Sequence, residues 1–235
     1  MSAGVARKPP LTASQIRTLL QPFLHSSDNP VGSRSPCQQT DLLFEQLAIY
    51  LDLLIHWNQR TNLTSIQNPE EIVRRHFGES LFLAQHIASR MVNASNLLDF
   101  GSGAGFPGLP AKLLCPDWEV TLAESQHKKV SFLREVIRTL KVNCEVWPKR
   151  VELWPAQANV TITLRAVDHM SDALRFALQL RPRLVAILTS ATLAPELERT
   201  TNYSVSIIPV PTRQHQALAV LDRISIGNLD VPRGT

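Results

Sequence analysis

Apolar positions change period once along this chain, and the change divides it. From Thr40 or Asp41, either of which can cap a helix, Phe44, Leu47, Leu51, Leu54 and Ile55 recur at helical spacing and stop near Trp57. That spacing predicts one helix with a single buried face. A second helical stretch is expected over 69–90 with Asn68 as its cap, and the polar, aromatic run 57–64 between them reads as a turn. Ahead of both, 14–23 can form a short helix limited by Pro22, whereas 26–39, rich in Ser, Pro, Asn and Gln, has little to bury and reads as a connector.

Further on, short apolar runs at 97–100, 118–124, 144–147, 161–164 and 184–188 alternate with helical stretches from Pro107, over 128–140, over 171–180 and around 195–198. Such alternation means an α/β fold, a mostly parallel sheet covered by helices on both faces. The last two runs, 203–210 and 217–223, are separated only by a short, proline-interrupted loop. Antiparallel strands can be joined so briefly and parallel ones cannot, so the sheet should end in a hairpin. The expected organisation is a flexible tail over 1–39, a helical segment over 40–92 and an α/β domain over 93–235.

Composition narrows the class without naming a chemistry. A chain of 235 residues that is 44% hydrophobic suits one α/β domain with an appendage. No apolar run approaches the roughly 18 residues of a membrane span, and Arg7, Lys8, Pro9 and Pro10 do not resemble a secretory signal, so a cytoplasmic protein without membrane contact is expected. The three cysteines, Cys37, Cys115 and Cys144, are far apart and have no histidine at ligand spacing, so no metal is expected. A net charge of +4 favours a nucleic-acid partner slightly.

The chemistry centres on Leu97-Leu98-Asp99-Phe100-Gly101-Ser102-Gly103-Ala104-Gly105-Phe106-Pro107-Gly108. It reads as a strand, a tight turn and a helix start. Glycines at 101, 103 and 105 permit positive φ and let a ligand reach main chain. In a doubly wound sheet ligands sit at the carboxyl ends of the strands, which aligns this turn with Glu124, the segment after Trp147, and Arg165. Glu124 can accept two hydrogen bonds from a ribose diol. Nicotinamide dinucleotides and S-adenosylmethionine both present one, but the dinucleotide fingerprint is G-x-G-x-x-G and this register is G-x-G-x-G. Adenosylmethionine also suits the closing hairpin, and its sulfonium and amino group favour a nearby carboxylate such as Asp99.

Several blocks at ordered spacing carry a more specific resemblance: WNQRTNLTSIQNPEEIVRRHFGES (57–80), LLDFGSGAGFPGLPAKLL (97–114), LAESQHKKVSFLREV (122–136), KRVE (149–152) and LRAV (164–167). Over about 41–224 the chain resembles the bacterial small-subunit ribosomal RNA guanine-7 methyltransferases, the glucose-inhibited division protein B family. The resemblance implies a Rossmann-like, class I S-adenosylmethionine-dependent methyltransferase fold, with a seven-stranded sheet and N-terminal helices beside it. It implies methyl transfer from adenosylmethionine to nitrogen 7 of a guanine in small-subunit ribosomal RNA, on the RNA or the subunit; a monomer is expected, though the sequence itself leaves the oligomeric state open.

Carried over residue by residue, Gly101 and Phe106 match cofactor-loop contacts, and Val151 with Glu152 match a segment lying against the adenine. Arg165 matches the arginine beside the methyl-transfer site, where it would orient the guanine or a phosphate. With Asp99, Gly103, Gly105 and Glu124 these residues make up the expected cofactor site. Asn58, Asn62, Arg75 and His76 match polar positions expected to shape its wall, and Lys128, Lys129, Lys149 and Arg150 are candidate RNA contacts.

Three departures stand out. Leu164 takes the place of a usual serine, Thr189-Ser190 replaces a usual Lys-Gly pair, and Gly78-Glu79-Ser80 stands where Asp-Ser is typical. They keep open a second reading, a non-catalytic RNA-binding or ribosome-assembly protein on the same cofactor fold. In either reading, Lys149 or Arg150 could supply the missing charge.

Overall fold

A computed structural model of the chain describes residues 10–24, 39–91, 96–155, 157, 159–165, 170–190, 197, 202–213 and 215–224. Among these, seven strands form one sheet: β1 (Asn96–Phe100), β2 (Glu119–Ala123), β3 (Glu145–Trp147), β4 (Thr161–Arg165), β5 (Leu184–Ser190), β6 (Tyr203–Pro209) and β7 (Gln216–Arg223). Their spatial order is β3-β2-β1-β4-β5-β7-β6. Strand β7 runs antiparallel to β5 and β6, and the other neighbouring pairs are parallel. The expected parallel sheet closed by a hairpin is therefore present, and its central strands are buried on both faces, which is why they read as unbroken apolar runs.

One face carries α1 (Ala13–Leu24), α2 (Asp41–Thr61), α3 (Pro69–Ile72), a π-helical segment Val73–Gly78, α4 (Glu79–Ala88), α5 (Gly108–Leu114) and α6 (His127–Leu140), sharing one core with Leu97, Leu122, Leu184 and Leu218. The opposite face packs Leu98, Phe100, Ile162 and Leu164 with α7 (Met170–Gln179) and Trp154. Alternation along the strands then sends Asp99, Thr163 and Arg165 into the helical layer. Cofactor-fold sheet and N-terminal helices are one packed unit.

Several boundaries differ from the sequence expectation. Helix α2 continues past Trp57 to Thr61, because Asn62 closes it in the left-handed region at φ 47° and Trp57 packs on Phe132 with ring centroids 5.7 Å apart. Thr40 and Asn68 do cap, accepting from the backbone N–H of Leu43 and Glu71. Helix α1 lies inside the segment expected as a flexible tail, yet Ile16, Leu20 and Phe23 are fully buried in the shared core, the Phe23 ring against Gly78. The rest of that tail, 1–9 and 25–38, and most of the short helix expected at 195–198 lie outside the described residues. Cys144 is a half-buried free thiol.

Candidate active site

Beyond β1 the backbone turns through Gly101, Gly103 and Gly105 at φ 62°, 59° and 92°. These glycines serve different neighbours. A β-carbon on Gly105 would collide with the Tyr50 hydroxyl and stand 3.1 Å from Leu133 Cδ2, so this position is set by the helical layer. A β-carbon on Gly103 would meet nothing nearer than the Gly101 carbonyl oxygen at 3.8 Å, so this position faces open space. Hydrogen bonds hold the turn: Ser102 N–H donates to the Ala123 carbonyl at 2.9 Å, Gly105 N–H to the Ser102 carbonyl at 2.7 Å, and the Tyr50 hydroxyl to the Ala104 carbonyl.

Asp99 lies under this turn, fully buried. Its carboxylate accepts from Thr163 Oγ1 at 2.7 Å and from Gly108 N–H at 3.1 Å, Thr163 being its register partner on β4. The structure thus gives Asp99 internal partners that fasten β1, β4 and the start of α5 together. Burial pushes its pKa up to about 6, against the hydrogen bonds that lower it. A carboxyl raised in the folded state stabilises most below its unfolded pKa near 3.8, and that contribution is lost as pH rises through about 6. In urea unfolding, Asp99→Asn should therefore gain on wild type between about pH 4 and about pH 7, by on the order of 3 kcal/mol. A difference that stays flat with pH would contradict the buried carboxyl as its source.

Glu124, at the end of β2, is also buried, and its carboxylate binds backbone: Gly103 N–H at 3.0 Å and Gln126 N–H at 2.8 Å. It borders a cleft of about 420 Å³ at the carboxyl ends of β1 and β2. Gly101, Glu124, Lys149, Arg150, Val151 and Glu152 all line this cleft, so six of the residues singled out in the sequence meet at one place. Lys149 Nζ lies 5.1 Å from the centroid of the Trp147 ring. Lys128 and Lys129 sit in the first turn of α6, away from the cleft lining.

Arg165 and Phe106 are on the helical side of the same turn. The Phe106 ring is stacked between His76, at 4.8 Å and 20°, and Tyr50, at 5.5 Å and 6°, with the Arg165 guanidinium 5.9 Å from its centroid. Arg165 Nη2 donates to the Arg75 carbonyl at 2.7 Å and to Glu79 Oε2 at 3.0 Å. The π-helical segment makes the first bond possible. There Glu79 N–H turns to the His76 carbonyl and the Arg75 carbonyl receives Arg165 instead. Burial lowers the Arg165 pKa, opposed by Glu79, and burial raises that of Glu79, opposed by Arg165, Arg213 and Arg75.

His76 is fixed by a chain of contacts from the 57–64 run. Asn58 Nδ2 donates to the Thr64 carbonyl at 2.8 Å, Asn58 Oδ1 accepts from Thr64 N–H at 2.9 Å, and Thr64 Oγ1 lies 2.7 Å from His76 Nε2. Burial first, then Arg165 and Arg75, lowers the His76 pKa to about 3. The imidazole is therefore neutral near pH 7 and is not a proton donor there. Tyr50, Glu79 and Arg213 stand beside these residues, and sequence reasoning did not assign them. An acidic residue between Phe77 and the apolar run 81–84 is the one local signal that marks Glu79.

This strand order, with an antiparallel strand inserted beside β5 and a glycine turn after β1, defines the Rossmann-like fold of adenosylmethionine-dependent methyltransferases. Magnesium protoporphyrin IX methyltransferase from Synechocystis PCC 6803, solved with bound SAM, has a similar fold: TM-score 0.55 over 74% of this chain and 97% of that one, at 11% identity. The chain belongs to the GidB family, rRNA small subunit methyltransferase G, whose family model matches residues 43–206. It is similar to the Ribosomal RNA small subunit methyltransferase G of Chromobacterium violaceum, 39% identical over 63% of this chain and 71% of the relative. It is also similar to that of Desulfitobacterium hafniense, 47% identical over 42% of this chain and 39% of the relative, so the match to this second protein spans well under half its length. Among the described residues no helix is long and apolar enough to cross a membrane, and no group of three His, Cys, Asp or Glu side chains could hold a metal ion.

Proposed function

We propose that this protein methylates nitrogen 7 of a guanine in small-subunit ribosomal RNA, in the cytoplasm, with S-adenosylmethionine as methyl donor. The observation that carries the cofactor half is Gly103, left-handed at φ 59°, open where its β-carbon would stand, and tied by its N–H to Glu124 at the edge of the cleft. Each Glu124 oxygen already takes one backbone N–H, and a carboxylate has about four acceptor sites, so both retain capacity for a ribose diol. Val151 and Glu152, in a single 3₁₀ turn on the cleft wall, are the residues proposed to lie against the adenine. When bound, adenosylmethionine supplies an electrophilic methyl group.

Guanine N7 has a free lone pair and attacks without losing a proton, so no general base is required of the chain. Its residues have to hold the base in line and exclude water. Arg165 is suited to holding the base, because two hydrogen bonds fix it at the end of β4 with its guanidinium beside the Phe106 ring. Lys149 and Arg150 at the cleft mouth, with Lys128 and Lys129 on α6, are the cations proposed to meet RNA phosphate. Incubation with labelled adenosylmethionine and unmodified small subunits should place label on the RNA. Label on protein, or none, would overturn the reading.

A further inference from the structure

Seven buried side-chain nitrogen or oxygen atoms lack a hydrogen-bond partner among the described residues, and four of them share one neighbourhood: Arg75 Nε, His76 Nδ1, Glu79 Oε1 and Arg165 Nη1. Leaving a buried polar atom unpaired costs as much as losing a hydrogen bond, so such a concentration needs a reason. Two of the four belong to a single ion pair. Arg165 Nη2 spends itself on Glu79 Oε2 and the Arg75 carbonyl, which leaves Nη1, a donor, and Oε1, an acceptor, without a hydrogen bond on the same two groups. The side chains are 12% and 3% exposed. Arg213, on the turn between β6 and β7, brings Nε to 3.8 Å from Glu79 Oε1, too far for a hydrogen bond, and is itself 31% exposed.

We infer that this pair reads the target base: Glu79 Oε1 accepts the N1–H of guanine while Arg165 Nη1 donates to its O6. The inference rests on the guanine-N7 reading above. Guanine presents an acceptor, O6, beside a donor, N1–H, and adenine presents a donor, its amino group, beside an acceptor, N1. The Arg165–Glu79 pair therefore matches guanine and meets adenine donor to donor and acceptor to acceptor. Contact through O6 and N1 leaves N7 uncovered for the methyl group. Arg213 overlies the free Glu79 oxygen and is the side chain that moves to admit the base, after which its charge is available to an RNA phosphate. Glu79 is thus a specificity-determining residue, and Arg165 holds both it and the base.

The test is a ligand-observed NMR titration of the full chain, saturated with adenosylhomocysteine, against the 5′-monophosphates of guanosine, inosine and adenosine. Inosine retains O6 and N1–H and lacks the 2-amino group. The guanosine and inosine nucleotides should bind alike and about tenfold more tightly than the adenosine one. Glu79→Gln, whose amide turns its oxygen to Arg165 and its NH₂ to the base, should bring the preference to within about twofold without changing adenosylhomocysteine affinity. Equal binding of the three by wild type, no binding of the guanosine nucleotide, or a preference that survives Glu79→Gln would each overturn the inference. The wild-type comparison needs no variant to fold. Methylation of labelled subunits scores the function separately: guanine methylation without nucleotide preference removes this inference alone, and preference without guanine methylation removes the functional reading.

Discussion

Replacing Arg165 with alanine should lower single-turnover methyl transfer to unmodified small subunits by about 100-fold or more, and adenosylhomocysteine affinity by far less. The guanidinium sits at the end of β4, 5.9 Å from the centroid of the Phe106 ring, with one nitrogen shared between the Arg75 carbonyl and Glu79. Truncation removes the group proposed to orient the base and strands the Glu79 carboxylate in the interior. Breaking such a buried pair typically costs about 3–5 kcal/mol of stability. Arg165→Lys separates the two effects: it keeps the charge beside Glu79 but has no second terminal nitrogen to take the place of Nη1, the atom proposed to meet the base. It should fold with most of the wild-type stability and still lose roughly 10-fold or more in transfer. Wild-type turnover in either variant would remove Arg165 from the site.

The second large effect is a contrast between two glycines of one turn. Gly105→Ala should destabilise the fold by about 3 kcal/mol or more, since a left-handed β-carbon costs roughly 1–2 kcal/mol and overpacking adds about 1–3. The collision is with the Tyr50 hydroxyl and Leu133, both fixed in the shared core. Gly103→Ala has the same backbone penalty and no collision, so it should cost only about 1–2 kcal/mol. Its methyl group would occupy the open side of the turn, and its effect should appear as weaker adenosylhomocysteine binding. Urea unfolding and a binding titration on the two variants read both quantities. Equal stability loss without a binding defect in Gly103→Ala would contradict a ligand on that side.

Much of this arrangement was legible from local signals. Thr40 and Asn68 announce their helices by capping chemistry, the glycine turn follows an apolar strand, and Glu124 falls at the end of the next strand. The hairpin followed from the shortness of the loop between β6 and β7. What stayed hidden depends on which face a side chain takes and on contacts distant in sequence. Asp99 looked free to meet a ligand's amino group, yet strand alternation turns it inward against Thr163, 64 positions away. The helix over 69–90 has ordinary helical spacing, and nothing in it marks the π-helical segment that frees the Arg75 carbonyl. Glu79 reads as a departure from a motif until Arg165, 86 positions on, is placed beside it.

The missing Lys-Gly pair is seen differently once the strands are in register. Ser190 pairs with Gln216 across β5 and β7, which brings the turn carrying Arg213 to the carboxyl end of β5. A cation therefore stands near that edge, from a hairpin turn and not from Lys149 or Arg150, which border the cleft. No local pattern around Pro211 and Thr212 would have singled it out.

Guanine-N7 methylation of the small-subunit RNA stands or falls on the chemical identity of the methylated nucleotide. Small subunits lacking the modification, incubated with the protein and labelled adenosylmethionine, are digested to nucleosides and resolved by chromatography and mass. Label should appear in 7-methylguanosine from a single position of the small-subunit RNA. Label in a methylated adenosine, cytidine or uridine, or in a guanosine methylated elsewhere than nitrogen 7, would contradict it.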